Sequence, residues 1–241
     1  MRILFLVNGT EVPKPETTTA MLAKAAKARG HDTTVAGIRT LGRSDHGSIT
    51  VLGDPVDGYD AVFVRTNPAR STSAIHHVEA LDLLAIAAER GTPVLAEPNG
   101  LRAARTKLFV TELPESVRPR SLVSRTREEL VAFGDTCPDG WVVKPLSGTR
   151  GRGVFLLSQG DPNTATALEQ LTDTGWVMAQ ERVPGASDGD VRLILIDGEM
   201  LVVGGHTAAV RRRPKRGEFR SNVHVGAVPE PAEITDAHRF I

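Results

Sequence analysis

The sequence predicts an α/β protein in two parts, and three observations predict it. Up to about residue 105, short apolar runs alternate with helical stretches, the pattern of a parallel sheet with right-handed crossovers. Beyond that point strands and helices follow in mixed order, as in an α+β arrangement with antiparallel pieces. Within this later part, Asp197-Gly198 separates the two apolar runs of "DVRLILIDGEMLVVGG", a strong hairpin signal. A chain of 241 residues can bury a sizeable core as one large domain or two small ones.

Taken in order, "RILFLV" reads as a buried strand ended by Asn8-Gly9. "TTTAMLAKAAKARGH" reads as a helix with threonines for its N-cap and Gly30 at its close. "DTTVAGI", "DAVFVRT" and "TPVLA" read as strands, with the helix "STSAIHHVEALDLLAIAAERG" before the last of them. This first region has the look of a small Rossmann-like domain. "LRAARTKLFVTEL" reads as one helix, "RSLVS" as a strand and "TREELVAFGD" as a helix. "WVVKPL" and "GVFLL" read as strands, "TATALEQLTD" as a helix and "WVMAQE" as a strand. "RRRPKRGEFRSNVHVGAVPEPAE" reads as one long charged connection.

Composition excludes several functions. Basic and acidic side chains balance, 29 against 29, so nothing global points to nucleic acid or an anionic membrane. The cluster "RRRPKRGEFR" lacks interleaved aromatics suited to base stacking, which argues against a nucleic-acid arm. Cys137 is the one cysteine. It excludes an intramolecular disulfide and a multi-cysteine zinc site, and it suits a reducing cytoplasm. An inert thiol is the expectation. No apolar run approaches the roughly 20 residues that span a bilayer, and the first residues are expected to be too short a run for a signal segment. His76 and His77 are neighbours on a helix and cannot face one site together; both are read as surface or interface residues.

The chemistry concentrates in "WVVKPLSGTRGRGVFLL". A strand ending in Lys144 is followed by a loop with Gly148, Gly151 and Gly153, then by another strand. No Gly-Lys-Ser/Thr ending follows and no helix opens, so it is neither a Walker A loop nor a dinucleotide fingerprint. A strand–loop–strand of this kind is a hairpin flap whose backbone N–H groups can meet phosphate oxygens, or else an ordinary mobile hairpin. Lys144 needs a counter-charge or an exit to water. Together with Lys107 and the flap it could converge on a polyphosphate. "MAQERV" could pair its backbone with an adenine edge. Asp190 and Arg192 alternate on one strand face and point the same way, towards a ligand or only towards solvent.

Five segments, in one order and spacing, resemble the bacterial glutathione synthetase branch of the ATP-grasp family. They are "VFVRTNPA", "EPNGLRAARTKLF", "VVKPLSGTRGRGVF", "MAQERVPGASDGDVRLILIDGEML" and "GEFRSNVHVGA". The resemblance implies an α/β ATP-grasp fold: a Rossmann-like substrate-side domain over 1–105, an α+β lid with the glycine flap over 106–183, and the start of an α+β C-terminal domain over 184–241. It implies an ATP-dependent carboxylate–amine ligase working through an acyl phosphate. In that reading Lys107 and Lys144 contact phosphates and the adenine side. Ser147, Gly148, Thr149, Arg150, Gly151, Arg152 and Gly153 form the flap. Gln180, Glu181 and Val183 line the adenine hinge, and Asp190 accepts from the ribose. Arg192, Arg220 and Asn222 face the acyl phosphate, and Arg65 grips the carboxylate substrate.

ATP and magnesium are the implied cofactors. The resembled family carries its metal ligands on a later strand pair, so these are expected beyond residue 241, and the chain as given is expected to bind ATP poorly and not to complete the ligation alone. "ITDAHRFI" reads as a helix just begun. The rival reading is a nucleotide-binding but inactive fragment or pseudoenzyme. The expected partners are small-molecule carboxylate and amine substrates, a small peptide such as γ-glutamylcysteine among them, with neither nucleic acid nor membrane. A homo-oligomer stays open, and the expected location is the cytoplasm.

Overall fold

The computed structural model describes residues 1–9, 14–67, 74–148, 151–215, 220, 226–232 and 234. The chain divides into two compact units, Met1–Arg105 and Thr106–Ile241.

In the first unit, strand β1 (Arg2–Val7) is apolar on both faces because both faces are covered. Successive side chains alternate. Leu4 and Leu6 enter the main core, while Ile3 and Phe5 turn the other way to Ala23 of helix α1 (Thr18–Ala28). The main core is completed by Leu81 and Leu84 of helix α2 (Ala74–Glu89). The Thr17 hydroxyl caps α1 by accepting from the Ala20 N–H at 3.3 Å, and Gly30 closes it at φ 79°, as the sequence predicts. β1 lies between β2 (Asp32–Gly37) and β6 (Ala61–Val64), with β7 (Val94–Leu95) outside β6, all parallel. Between β2 and β6 runs a small antiparallel meander: β3 (Leu41–Arg43), β4 (Ile49–Val51) and β5 (Asp54–Pro55). Its strands, two or three residues long, are too short to show a period in the sequence.

His77 departs from expectation. It is buried against the α2 core, 4 % exposed, with no partner for Nδ1 among the described residues. Burial pushes the imidazole pKa down, which keeps the ring neutral. His76 is exposed and pairs with Glu79 at 3.1 Å.

The helix predicted over "LRAARTKLFVTEL" is two elements. Helix α3 (Pro98–Ala103) starts at Glu97, whose carboxylate accepts from the Asn99 and Gly100 N–H groups. Thr106 then caps a separate 3₁₀ helix, Lys107–Glu112. The Lys107 N–H leaves the helical pattern and donates to Leu146 O at 3.0 Å, a tertiary bond that overrides local propensity.

In the second unit four antiparallel strands run in the order β10 (Phe155–Leu157), β9 (Trp141–Pro145), β11 (Val177–Glu181), β8 (Ser121–Ser124). Helices α4 (Arg127–Asp135) and α5 (Thr164–Thr174) bring Leu130, Leu168 and Leu171 to the core with Trp141, Val143, Val177 and Ala179. Cys137 is a buried free thiol of this core. The two-residue period then places Lys144 on the other sheet face, opposite Met178 and diagonal to Gln180.

A second antiparallel sheet follows: β12 (Asp190–Leu193), β17 (Ala209–Arg213) and β18 (Val228–Pro231). Between β12 and β17 come two hairpins. The first joins β13 (Leu195–Ile196) to β14 (Glu199–Met200), the second β15 (Val202–Val203) to β16 (His206–Thr207). The turn of the first is Asp197-Gly198, with φ 57° and 81°, the positive pair a type I′ turn requires. The predicted long connection is thus partly strand, because its charges are paired across the sheet: Arg212 with Asp190, and Arg213 with Glu230 at 2.5 Å. Among the described residues no helix is long and apolar enough to cross a membrane.

Candidate active site

Two lysines come together at the open end of β9. The Lys107 ammonium donates to Pro145 O at 2.8 Å and Gly148 O at 3.0 Å. That of Lys144 donates to Gln180 Oε1 at 2.7 Å. Each meets neutral oxygens, and neither has an ion-pair partner among the described residues. Burial pushes the Lys144 pKa down to about 8, helped by the neighbouring Lys107 charge. Burial also lowers that of Lys107. Two partly desolvated cations without an anion are unfavourable on their own and suit a polyanion, which would neutralise both. The pair therefore fits a phosphate chain.

A chain of polar contacts sets the orientation of Gln180. The Ser121 hydroxyl donates to Pro119 O at 2.9 Å, so it accepts from Gln180 Nε2 at 2.9 Å. The Gln180 carbonyl oxygen is thereby left facing Lys144.

The next residues form a backbone edge. The Glu181 N–H donates to Arg120 O at 3.1 Å and the Arg182 N–H to Gly140 O at 3.0 Å. The Val183 N–H and the Glu181 carbonyl oxygen have no hydrogen-bond partner among the described residues. A free acceptor and a free donor two residues apart match the amino group and ring nitrogen of adenine.

The flap begins with exposed Ser147 and Gly148 and resumes at Gly151, Arg152 and Gly153; Thr149 and Arg150 lie outside the described residues. Gly148, Gly151 and Gly153 have φ of 111°, 71° and 65°, where side chains other than glycine are strained. Arg220 donates to Gly151 O at 3.0 Å, so the residue carried over for the acyl phosphate also holds the flap. Asn222 lies outside the described residues.

On the second sheet Asp190 and Arg192 share one face, as the alternation predicts. Asp190 is bound by Arg212, through Nε at 2.7 Å and through its other oxygen; this contact raises the Arg212 pKa. Arg192 has no ion-pair partner among the described residues. Arg65 belongs to the other unit, directly after β6, where its N–H donates to Leu6 O at 2.8 Å. Sequence reasoning missed Arg212 and Arg120. Their signal is a charge opposite a charge across strands, legible only when the register is known.

Among the described residues no group of three or more His, Cys, Asp or Glu could hold a metal ion. The described residues do not supply a magnesium centre.

Residues 106–241 match the family described as prokaryotic glutathione synthetase, ATP-grasp domain. The chain is 33% identical to the glutathione synthetase of Synechococcus elongatus, over 100% of this chain and 81% of that protein. It is 34% identical to the glutathione synthetase of Citrobacter rodentium over 76% of this chain, an alignment that spans 55%, little more than half, of that relative's length. Among solved structures, ATP-grasp ligase PsnB complexed with a phosphomimetic variant of minimal precursor, Mg and ADP superposes with a TM-score of 0.62. That match is 20% identical and covers 97% of this chain and 78% of that one; it shows the fold. The match over residues 106–241 and kinship along its whole length make the chain a member of the prokaryotic glutathione synthetase family, a family of ATP-dependent C–N ligases that use ATP and Mg2+.

Proposed function

We propose that this chain joins the carboxylate of a γ-glutamyl dipeptide to a small amine with ATP, as glutathione synthesis requires. The observation that carries the reading is the Lys107–Lys144 pair, two partly buried ammonium groups with no ion-pair partner among the described residues. Lys107 and Lys144 hold phosphate oxygens. Residues 147–153 close over them, with Arg220 fixing the flap through Gly151. The Glu181 carbonyl and Val183 N–H read the adenine edge, and Asp190, held by Arg212, accepts from the ribose. Arg192, Arg220 and Asn222 face the reacting groups, and Arg65 grips the carboxylate substrate. Residues 1–105 serve as the substrate-side domain, 106–183 as the lid, and 184–241 belong to the C-terminal domain. The location proposed is the cytoplasm.

The chemistry follows from charge. A substrate carboxylate oxygen attacks the γ-phosphorus, ADP leaves, and an acyl phosphate results. The amine then attacks the acyl carbon; the C–O bond to phosphate breaks and the nitrogen loses a proton. No enzymic nucleophile is needed, only cations, aligned reactants and exclusion of water. Neutralising the γ-phosphoryl oxygens reduces their repulsion of an incoming carboxylate, and this is the part played by the basic side chains.

The comparisons do not favour the reading as an inactive nucleotide binder. The test is to incubate the complete gene product with ATP, magnesium, γ-glutamylcysteine and glycine. Equal amounts of ADP and tripeptide are expected. ADP without amide, or no ADP with any acid and amine pair, would overturn the proposal.

A further inference from the structure

The Glu181 carboxylate makes a contact that an ordinary antiparallel ladder excludes. Where β8 and β11 end, the Glu181 N–H donates to Arg120 O at 3.1 Å. In a regular ladder two residues so paired exchange both bonds, so the Arg120 N–H would return to the Glu181 carbonyl. It does not. The Arg120 N–H donates instead to Glu181 Oε1 at 2.8 Å. The carbonyl oxygen of Glu181 is left without a partner among the described residues.

The diversion is held from the other side. Arg120 Nε lies 3.5 Å from Glu181 Oε2. The same guanidinium donates to Thr136 Oγ1 at 2.6 Å and sits 5.6 Å from the Phe133 ring centroid. Thr136 is the C-cap of α4, where a cation is favoured by the helix dipole. The Arg120–Glu181 pair is half exposed, 56% and 37%, so it adds little to stability. Its consequence is positional.

We propose that the Glu181 side chain is a positioning and specificity-determining group for the nucleobase: by capturing the Arg120 N–H it ends the strand ladder and frees its own carbonyl to read a 6-aminopurine. The inference rests on the nucleotide reading above. The freed carbonyl accepts only from an exocyclic amino group, and the Val183 N–H donates only to an unprotonated ring nitrogen. Guanine presents a carbonyl and an N–H at those places, and both mismatch. When the carboxylate is absent the Arg120 N–H falls back to the Glu181 carbonyl, which is then drawn towards β8 and meets the adenine amino group with its second lone pair only, a weaker and worse-aimed acceptor.

The experiment measures binding of ADP, GDP and inorganic tripolyphosphate to the protein and to Glu181→Ala, Glu181→Gln and Arg120→Ala, with a melting temperature for each. Tripolyphosphate reports the lysine pair alone. In Glu181→Ala, ADP affinity should fall about tenfold, the worth of one hydrogen bond. Its tripolyphosphate affinity should hold and its preference for ADP over GDP should shrink. Glu181→Gln keeps an acceptor for the Arg120 N–H and should bind ADP as the parent does. Arg120→Ala keeps the N–H but loosens the carboxylate, and should fall between. Equal ADP affinity in Glu181→Ala and the parent overturns the inference alone. So does a loss of ADP and tripolyphosphate affinity together with melting temperature, which would mark a merely structural role. A parent protein that binds neither ligand overturns the nucleotide reading and this inference with it.

Discussion

Lys144 is a cation held partly out of water beside another cation, Lys107. It sits on the sheet face away from the helices because Trp141 and Val143 take the core face. Burial and the Lys107 charge hold its pKa near 8. A phosphate within reach would restore the proton. ADP affinity should therefore fall as pH rises through about 8, and binding at pH values just above should take up a proton. Calorimetric titrations in two buffers of different ionisation heat read that uptake directly; Lys144→Met should abolish it. The same variant should lose about 1.5–3 kcal/mol of ADP binding, the worth of a charge-assisted contact, without loss of folding stability. The stability effect has its own sign. The unfolded chain keeps the lysine proton up to its ordinary value, so the native protein without nucleotide gains stability from about pH 8 upward to about 10.4. A denaturation midpoint that stays flat over that window would contradict the assignment. Both lysines were legible from the sequence. Gln180 as the acceptor for Lys144 was not, because it depends on strand register.

Among the elements, α4 shows how packing overrides propensity. Gly134 lies inside the helix, where alanine would ordinarily be better by about 0.5–1 kcal/mol. A Cβ there would clash with the indole ring of Trp141. Gly134→Ala should accordingly destabilise the protein by about 1–3 kcal/mol, the usual effect of overpacking, as urea denaturation would measure. A more stable variant would mean that Trp141 can move aside at little cost. The strands, the α4 and α5 helices and the Asp197-Gly198 hairpin were readable because period, caps and turn residues agree there. The helix read over "LRAARTKLFVTEL" was not, because the Lys107 N–H has a better partner in Leu146 O. Strand β17 was hidden by its arginines, whose partners Asp190 and Glu230 are remote in sequence.

The whole molecule has a separate core in each unit, one around Leu4, Val62 and Leu84, the other around Trp141, Val143 and Leu168. The proposed phosphate and adenine contacts all lie in the Thr106–Ile241 unit. Saturating ADP, at a hundred times its dissociation constant, should stabilise that unit by about 2.7 kcal/mol. Hydrogen exchange should slow in β9 and β11 and stay unchanged in β1 and β6. Slowing confined to β1 and β6 would move the nucleotide to the wrong unit. The alternation of strands and helices announced the first unit; of the five ordered segments, one lies in that unit, one crosses its end at Arg105 and the other three lie in the second. Arg65 was legible as a residue, but no pattern within one chain says what it grips. The central claim is that a carboxylate is phosphorylated before the amide forms. Its most direct test gives the complete gene product γ-glutamylcysteine labelled with ¹⁸O in the reacting carboxylate, together with ATP, magnesium and glycine. One labelled oxygen is expected in each inorganic phosphate released, since the C–O bond of the acyl phosphate is the one that breaks. Amide formation with unlabelled phosphate would contradict it.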